Sequence, residues 1–373
     1  PAVYEETAKV AAKGAEKEAE WNKMMEEYAK AYPELAAEME QWFAGFHPDL
    51  ENDEVFWQFE NKKDATRNTS GQVLAKLAER IPNLIGGSAD LAPSNKTYIK
   101  GRGDFSAETP EGSNLHFGIR EQAMAGIVNG MQVHGGLQTY AATFLVFSDY
   151  MKHGIRISAL MKLPVLYVLT HDSIGVGEDG PTHQPVEQIA ALRMTPGVQV
   201  WRPCDSTEAA VAWTQAVEYQ DGPVCLVMSR QALPQQKRTE AQVADIRRGG
   251  YVLRDCEGEP ELIYIATGSE VQLAVQAAEK LSAEGRRVRV VSMPSCEVFD
   301  RQDAAYRESV LPSSVRVRVA VEAQTAAWWW KYVGLDGRVV GMGTFGASAP
   351  AGKLFPKFGF TVENIVQQAL ELL

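Results

Sequence analysis

Apolar residues along this chain alternate between two spacings, one typical of buried strands and one typical of amphipathic helices. Short apolar runs predict strands at Asn83–Gly86, Leu137–Thr143, Pro164–Leu169, Val224–Met228, Leu262–Ala266, Arg287–Ser292, Val315–Val321 and Val339–Met342. Helical spacing predicts helices at Thr69–Arg80, Arg120–His134, Leu145–Met161, Ser206–Tyr219, Glu270–Ala283 and Val362–Leu372. Because helices separate the strands, we expect an α/β fold with mainly parallel sheets and right-handed crossovers.

These elements form two α/β groups preceded by a helical arm. In residues 4–45, apolar residues such as Trp21, Met24 and Leu35 recur at helical spacing, and Pro33 suits the start of a second helix. Two such helices without a sheet must lay their apolar faces on something else. The predicted domains are a connector arm and linker over 1–62, an α/β domain over 63–232, a linker over 233–249 and a second α/β domain over 250–373.

Composition narrows the class of protein. The 373 residues are enough for two or three domains. The 37 basic and 48 acidic residues give a net charge of −11, which argues against a nucleic-acid or membrane-surface role. Apolar runs stay well short of the roughly 20 residues of a membrane helix. Four widely spaced cysteines without a CxxC pair are typical of reduced thiols, so we expect a cytoplasmic protein.

The stretch from Thr170 to Pro185 is the first candidate site. It follows a predicted buried strand, at the sheet edge where open α/β proteins bind ligands. Two histidines, three acids and three glycines lie in it: His171, His183, Asp172, Glu178, Asp179, Gly175, Gly177 and Gly180. Imidazole and carboxylate groups could bind substrate, ligate a metal or only cap the loop. Because the chain has no HExxH motif, we favour substrate binding or catalysis over a metal.

Further polar residues fall at the same predicted edge. Asp90 and Ser94 lie beyond the strand Asn83–Gly86, and Arg230 follows Val224–Met228. Arginines near predicted loop or strand ends, which can fork onto phosphate, are Arg67, Arg102, Arg120, Arg202 and Arg230. By their spacing alone, Glu121 is a helix-dipole complement, and Phe144 and Phe147 are core residues.

Several long motifs in one order resemble transketolase. They are GGSADLAPSN, HFGIREQAM, TFLVF, HDSIGVGEDGPTHQP, WRPCDSTEAAVAW, the DGP…SRQ segment and ATGSEV, and the resemblance runs from the linker to Leu373. Deoxyxylulose-phosphate synthase, a related thiamine-diphosphate enzyme, shares only part of this pattern, including the DGPTHQ core. The acids before that core and the proline after it resemble transketolase.

The resemblance implies an activity, a cofactor and partners. Transketolases transfer a two-carbon ketol unit from a ketose phosphate, such as xylulose 5-phosphate, to an aldose phosphate, such as ribose 5-phosphate, in the pentose phosphate pathway. They use thiamine diphosphate and a divalent cation, Mg or Ca. Their fold has three α/β domains and their active site lies between two subunits, so the resemblance also implies a homodimer.

The resemblance also implies roles for individual residues. Glu121 matches the catalytic glutamate that hydrogen-bonds the aminopyrimidine ring, and His183 matches a partner of the substrate's reacting end. Phe144, Phe147 and Tyr150 match the aromatic pocket for that ring, and Asp90 matches a residue near the thiazolium. Residues that match the phosphate-binding groups are Arg67, Ser94, His171 and Arg230, and Asp179 matches the acid that reads a substrate hydroxyl.

One departure from the family pattern changes the expectation for the chain itself. The GDG…N segment, with which the family binds diphosphate and metal, does not occur in the sequence. We therefore expect the pyrimidine-binding and carboxyl-terminal domains without the diphosphate-binding domain, no metal ligands, and no activity of the chain alone. Two alternatives stay open: a non-catalytic dimerising or regulatory fragment, and another ketol-transferring enzyme such as dihydroxyacetone synthase, which would accept formaldehyde.

Overall fold

A computed structural model describes residues 1–45, 48–59 and 62–373. Within these residues the chain forms two compact units, one of residues 1–45 with 134–137 and one of residues 48–133 with 138–373. A search of the same residues found no helix that is both long enough and apolar enough to cross a membrane.

The helical arm consists of two helices, α1 (Ala2–Ala31) and α2 (Pro33–Phe43). Pro33 is the first residue of α2, as predicted, since a proline there loses no helical hydrogen bond. Neither helix has a buried residue, and Trp21 and Leu35 are more than half exposed. The apolar faces predicted from the spacing are therefore present and uncovered within the arm.

The first α/β domain is built on a six-stranded sheet in the order β3-β2-β4-β5-β7-β6, with every pair parallel. The strands are β1 (Asp64–Ala65), β2 (Leu84–Ser88), β3 (Asn114–His116), β4 (Gln138–Phe144), β5 (Leu166–Thr170), β6 (Gln199–Trp201), β7 (Val224–Met228) and β8 (Ala232–Leu233). The helices are α3 (Thr66–Arg80), α4 (Ala92–Asn95), α5 (Glu121–His134), α6 (Ser148–Leu160), α7 (Gln188–Arg193) and α8 (Ser206–Glu218). Strands β1 and β8 form a separate antiparallel pair.

The second α/β domain has a five-stranded sheet in the order β13-β12-β10-β11-β9. Its strands are β9 (Tyr251–Arg254), β10 (Leu262–Ala266), β11 (Val288–Ser292), β12 (Arg318–Thr325) and β13 (Arg338–Met342). The remaining helices are α9 (Glu240–Ile246), α10 (Val271–Ala283), α11 (Cys296–Asp300), α12 (Ala304–Val310), α13 (Trp330–Val333), α14 (Ala351–Lys357) and α15 (Val362–Leu370). Within this sheet the pairing of β9 with β11 is antiparallel and the other described pairings are parallel, so the predicted class of two mainly parallel α/β domains is confirmed.

The two linkers differ from their predicted character. In the predicted arm and linker over 1–62, residues 46–47 and 60–61 lie outside the described residues. Residues 48–59 have no helix or strand, but Leu50 and Phe56 are buried in the core. In the predicted linker 233–249, α9 forms because Thr239 and Gln242 make a capping box and Ile246 is fully buried. The domain boundaries chosen from the sequence stay predictions.

A continuous hydrophobic core joins the two α/β domains. It includes Trp201 and Trp213 from the first domain and Tyr251 and Tyr264 from the second, all fully buried or nearly so. Each sheet covers its other face with a core of its own. The first sheet, with its carboxyl edge, therefore packs together with the second domain around a shared core.

Candidate active site

The carboxyl ends of four neighbouring strands bring the predicted site residues together. The sheet order places β2, β4, β5 and β7 side by side. Phe144 ends β4, whereas Asp90, His171 and Arg230 follow the ends of β2, β5 and β7 within two residues. Residues far apart in sequence thus meet at one edge, as expected for a parallel sheet.

Two non-glycine residues at this edge have left-handed backbone conformations. Asp90 has φ of 59° and His171 has φ of 64°. Side chains other than glycine rarely occupy this region, and strained residues of this kind concentrate at functional sites. The strain marks both residues as held in place by their surroundings.

His171 lies under an aromatic ring and beside a guanidinium. Its ring stacks on Phe144 with centroids 3.6 Å apart, and its Nε2 is 3.4 Å from Nη1 of Arg67. Its Nδ1 is 2.7 Å from the hydroxyl of Thr170. Burial, together with the charges of Arg67 and Arg230, lowers the pKa of His171 to about 3, so its imidazole is neutral at physiological pH.

Two arginines, Arg67 and Arg230, form the cationic side of the site. Arg67 is half-buried and donates from Nη1 to the carbonyl of Ser94 at 3.0 Å. Its Nε is buried and has no partner among the residues that the structure describes. Burial and the nearby charge of Arg230 lower the pKa of Arg67. Two cations this close together fit the binding of an anion such as phosphate.

A cavity of about 610 Å³ opens beside this cluster and is bordered by Glu121, Asp90, Phe147, Tyr150, Ala89, Leu91 and Ile119. Glu121 is the first residue of α5 and only 7% exposed. In the described part of the chain, its carboxylate makes no hydrogen bond or ion pair. A buried carboxylate without a partner at a cavity wall suits a ligand that donates a hydrogen bond.

Aromatic rings line the path from this cavity to His171. Phe147 stacks with Tyr150 at 6.1 Å and with Phe144 at 6.0 Å between ring centroids. His183 lies edge-on to Phe147 at 5.4 Å. Asp179 is exposed on the same loop, and no hydrogen bond or ion pair ties it to this cluster among the described residues. The structure thus assembles the predicted residues except Asp179, which it leaves at the loop surface.

Hydrogen bonds with the second domain fix the conformation of the loop between Thr170 and Pro185. Nε2 of Gln324 donates to the carbonyls of Asp172 and Pro185 at 2.8 and 3.0 Å. Nε2 of Gln184 donates to the carbonyls of Gly177 and Ala347 at 2.8 and 2.9 Å. The loop conformation therefore depends on contacts that span the two α/β domains.

Arg202 and Asp172, which we predicted among the candidate ligand-binding groups, instead form a buried ion pair. Both side chains of the Arg202–Asp172 pair are buried, with Nη2 2.8 Å from the carboxylate. Arg202 also reaches Glu270 at 2.5 Å and Glu322 at 3.5 Å in the second domain. A buried salt bridge was invisible in the sequence because its carboxylates lie up to 150 residues from one another in the chain. Arg102 likewise binds backbone carbonyls.

A metal site is not formed by the loop acids. Across residues 1–45, 48–59 and 62–373, no group of three or more His, Cys, Asp or Glu side chains is arranged to hold an ion. The residues that line the cavity suit an aromatic ring with hydrogen-bond donors rather than a cation.

Three family models together match most of the chain. A family model of the transketolase pyrimidine-binding domain matches residues 62–236, one of the transketolase-like C-terminal domain matches residues 249–361, and one of the transketolase thiamine-diphosphate-binding domain matches residues 1–48. The chain belongs to the transketolase family. The predicted recognition is confirmed.

Curated transketolases share more than half of the aligned residues. Transketolase 1 of Vibrio cholerae and transketolase 1 of Escherichia coli are each 55% identical over 365 residues, which cover 96% of this chain and 55% of the relative. The chain spans about half the length of the curated relatives it matches.

Solved transketolases share the fold. A transketolase from Leishmania mexicana, 44% identical, superposes with a TM-score of 0.89 over 96% of this chain and 52% of that chain. A Pichia stipitis transketolase in complex with sedoheptulose 7-phosphate, 38% identical, also gives 0.89, over 97% of this chain and 53% of that chain. A split-gene transketolase described as an inactive β4 tetramer, 27% identical, gives 0.66 over 83% of this chain and 98% of that chain.

The arm needs a correction. We expected a chain without any diphosphate-binding domain, with the arm as the connector after it. This expectation is wrong, because the family model of the thiamine-diphosphate-binding domain itself matches residues 1–48. Helices α1 and α2 belong to that domain. The sequence of these helices shows only an alternation of polar and apolar residues. Such a pattern is the same in a segment of a domain and in a connector, so the sequence alone could not distinguish them.

Proposed function

We propose that this chain carries the pyrimidine-binding and substrate-binding residues of a transketolase, which transfers a two-carbon ketol unit from a ketose phosphate to an aldose phosphate. The observation that carries the proposal is Glu121. Its buried carboxylate has no partner in the described residues and borders a cavity walled by Phe147 and Tyr150. That is the surrounding expected for an aminopyrimidine ring that must be held and polarised by a carboxyl group.

The cofactor would be thiamine diphosphate with Mg or Ca. When bound, it supplies a thiazolium carbon that adds to the ketose carbonyl and stabilises the negative charge left when the carbon–carbon bond breaks. Glu121 would hold a proton at the ring nitrogen, with Phe144, Phe147 and Tyr150 around the ring. Asp90 would lie near the thiazolium. We assign no metal ligand to the described residues, and no step here runs through the metal.

The substrate phosphate would lie against the cationic cluster. Arg67 and Arg230 place two positive charges close to each other at this position. Ser94 and His171 border the same position, since Arg67 contacts both. His183 would meet the reacting end of the sugar, and Asp179 a substrate hydroxyl. We infer xylulose 5-phosphate as donor and ribose 5-phosphate as acceptor, in the pentose phosphate pathway of the cytoplasm.

We also propose that the 373-residue polypeptide assayed alone does not transfer ketol units. The split-gene transketolase that it resembles over 98% of that chain is described as an inactive β4 tetramer. The share of the curated relatives that the chain covers, 55%, points the same way.

A homodimer is the proposed assembly. Helix α5 exposes the apolar or small residues Ala123, Gly126, Ile127 and Gly130, which recur at helical spacing along one face. Open space surrounds Gly126 and Gly130, and Ile127 is 48% exposed. An uncovered face of small residues next to the cavity suits close packing against a second copy.

The test is ketol transfer from xylulose 5-phosphate to ribose 5-phosphate, with thiamine diphosphate and Mg²⁺. The chain is assayed alone and mixed with the part of Escherichia coli transketolase 1 that the match does not cover. We expect activity only in the mixture, and a loss of about 10²- to 10⁴-fold in Glu121→Gln. The exposed Glu111→Gln serves as the matched control. Near-parental turnover in Glu121→Gln would contradict the role of Glu121.

Two further readouts separate the alternatives. Transfer to formaldehyde at a rate above that to ribose 5-phosphate would identify a dihydroxyacetone-synthase type of enzyme. Inactivity of the mixture, with thiamine diphosphate causing no change in protein fluorescence, would favour the non-catalytic fragment. Activity of the chain alone would overturn the proposal that it needs further residues.

A further inference from the structure

Asn95 and Thr170, which sequence reasoning did not single out, form a hydrogen-bonded relay with His171. The Thr170 hydroxyl donates to Oδ1 of Asn95 at 2.7 Å and lies 2.7 Å from Nδ1 of His171. Nδ2 of Asn95 donates to the hydroxyl of Ser88 at 3.1 Å. All four residues are at most 3% exposed, so water does not replace these partners.

The neighbours of the two ring nitrogens fix the tautomer of His171. At one end, the Thr170 hydroxyl has a single proton, which goes to Asn95, so Thr170 can only accept from Nδ1 of His171. At the other end, Nη1 of Arg67 can only donate, so Nε2 of His171 must carry a lone pair. Both ends require the proton on Nδ1 and a bare Nε2.

The groups that face His171 keep this ring neutral in the free protein. Arg67 from α3, Arg230 after β7 and His183 from the loop are the titratable groups around it, and Phe144 covers one ring face. Two of these groups are permanent cations, and His171 is only 3% exposed. A second proton on His171 is therefore strongly disfavoured until an anion arrives.

An unprotonated Nε2 repels a phosphate dianion placed against it. Every oxygen of a dianionic phosphate is an acceptor, and a lone pair of Nε2 directed at one of them is repulsive. Arg67 and Arg230 attract the dianion to the same place. The conflict disappears if one proton enters with the phosphate and lies between Nε2 and a phosphate oxygen.

We propose that a phosphate monoester binds at His171 together with one proton taken from solvent, shared between Nε2 and a phosphate oxygen, and that Asn95 and Thr170 are the positioning residues that require this proton. The inference rests on the proposed function, which places a sugar phosphate at this edge. The step balances, because a buffer acid or water gives up one proton to the complex and is left as its conjugate base, while the sugar phosphate and the protein keep all their covalent bonds.

The first experiment reads the tautomer without any ligand. Long-range proton–nitrogen NMR of the 373-residue chain distinguishes a protonated Nδ1 from a protonated Nε2, and His171→Gln assigns the signal. We expect Nδ1–H with a bare Nε2. An Nε2–H tautomer in the free chain would overturn the proposal, whatever the activity of the protein.

The second experiment counts protons. Ribose 5-phosphate is titrated into the chain by calorimetry in buffers of different ionisation enthalpy. At about pH 8, where the ester is a dianion because its second pKa is about 6, we expect uptake of about one proton per phosphate bound. At about pH 5 the ester already carries that proton, and the uptake should fall toward zero.

Variants isolate the relay. Thr170→Val removes the acceptor at Nδ1, frees the other tautomer and should lower the uptake at about pH 8, while Thr170→Ser should restore it. Thr139→Val, a buried threonine of β4 whose hydroxyl meets Gln132, is the matched control and should behave like the parent. Binding without proton uptake would overturn this proposal alone. Absence of any ribose 5-phosphate binding would overturn the proposed phosphate site, and this proposal with it.

Discussion

Replacing Arg202 by Met should strongly weaken the hold of the second domain on the active-site loop. Arg202 is fully buried between Asp172 of the first domain and Glu270 and Glu322 of the second, and these side chains are at most 2% exposed. The Arg202→Met variant keeps most of the side-chain length but leaves the buried carboxylates of Asp172, Glu270 and Glu322 without the cation that they share. Breaking a buried pair from one side costs about 3–5 kcal/mol, far more than the pair itself contributes.

Urea unfolding of the 373-residue chain measures this free energy. The control is Arg316→Met, which removes an ion pair whose side chains are 74% and 55% exposed and should cost less than about 1 kcal/mol. Arg202→Lys should fall between the two, because it keeps the charge but loses the pair of hydrogen bonds that Nε and Nη2 donate to Oδ2 of Asp172.

The pH dependence provides the sharper check. Protonation of a stranded carboxylate removes its buried charge, so the deficit of Arg202→Met should shrink as the pH falls from about 8 to about 5. A deficit below about 1 kcal/mol, or one that does not change with pH, would refute the reasoning that unpaired buried charge is the cause. The loop should loosen as well, with weaker ribose 5-phosphate binding in calorimetry.

The pKa of His171 is lowered from 6.5 to about 3, so the folded protein binds fewer protons than the unfolded chain, and stability is lost as the pH falls below 6.5. At about pH 5 the free energy of unfolding should be about 2 kcal/mol lower than at neutral pH, and chemical unfolding of His171→Gln should lack this loss. Gly87→Ala would place Cβ 1.9 Å from the carbonyl of Leu115 and should destabilise by about 1–3 kcal/mol or more in thermal unfolding, whereas Gly352→Ala meets open space and should not. Ile127→Glu should shift the sedimentation equilibrium toward monomer; an unchanged dimer would exclude the exposed face of α5 as the interface.

The sequence by itself determined the elements whose signals are local. Strands β7 and β10 form over the predicted residues, and Pro33 starts α2. Asp205 caps α8 by accepting from the backbone N–H of Glu208, three residues further along the chain. These signals depend on neighbours within a few residues, so a single chain segment contains the information.

Short strands and buried charges were decided only by tertiary structure. Strands β3 and β6 are three residues long and exist because longer strands beside them supply hydrogen-bonding partners. The Glu208 carboxylate accepts hydrogen bonds from the N–H of Cys204 and from the hydroxyls of Tyr251 and Ser292, and the last two residues lie in the second domain.

The candidate site shows the same division. Motifs in the sequence identified His171, Arg67, Glu121 and the aromatic residues through a family resemblance, and the sheet order brought them together. The left-handed conformation of His171 and its relay through Thr170 and Asn95 did not appear in the pattern. They depend on groups that are distant in the chain and buried together, and in a buried site each hydrogen bond must find its partner in the fold rather than in water.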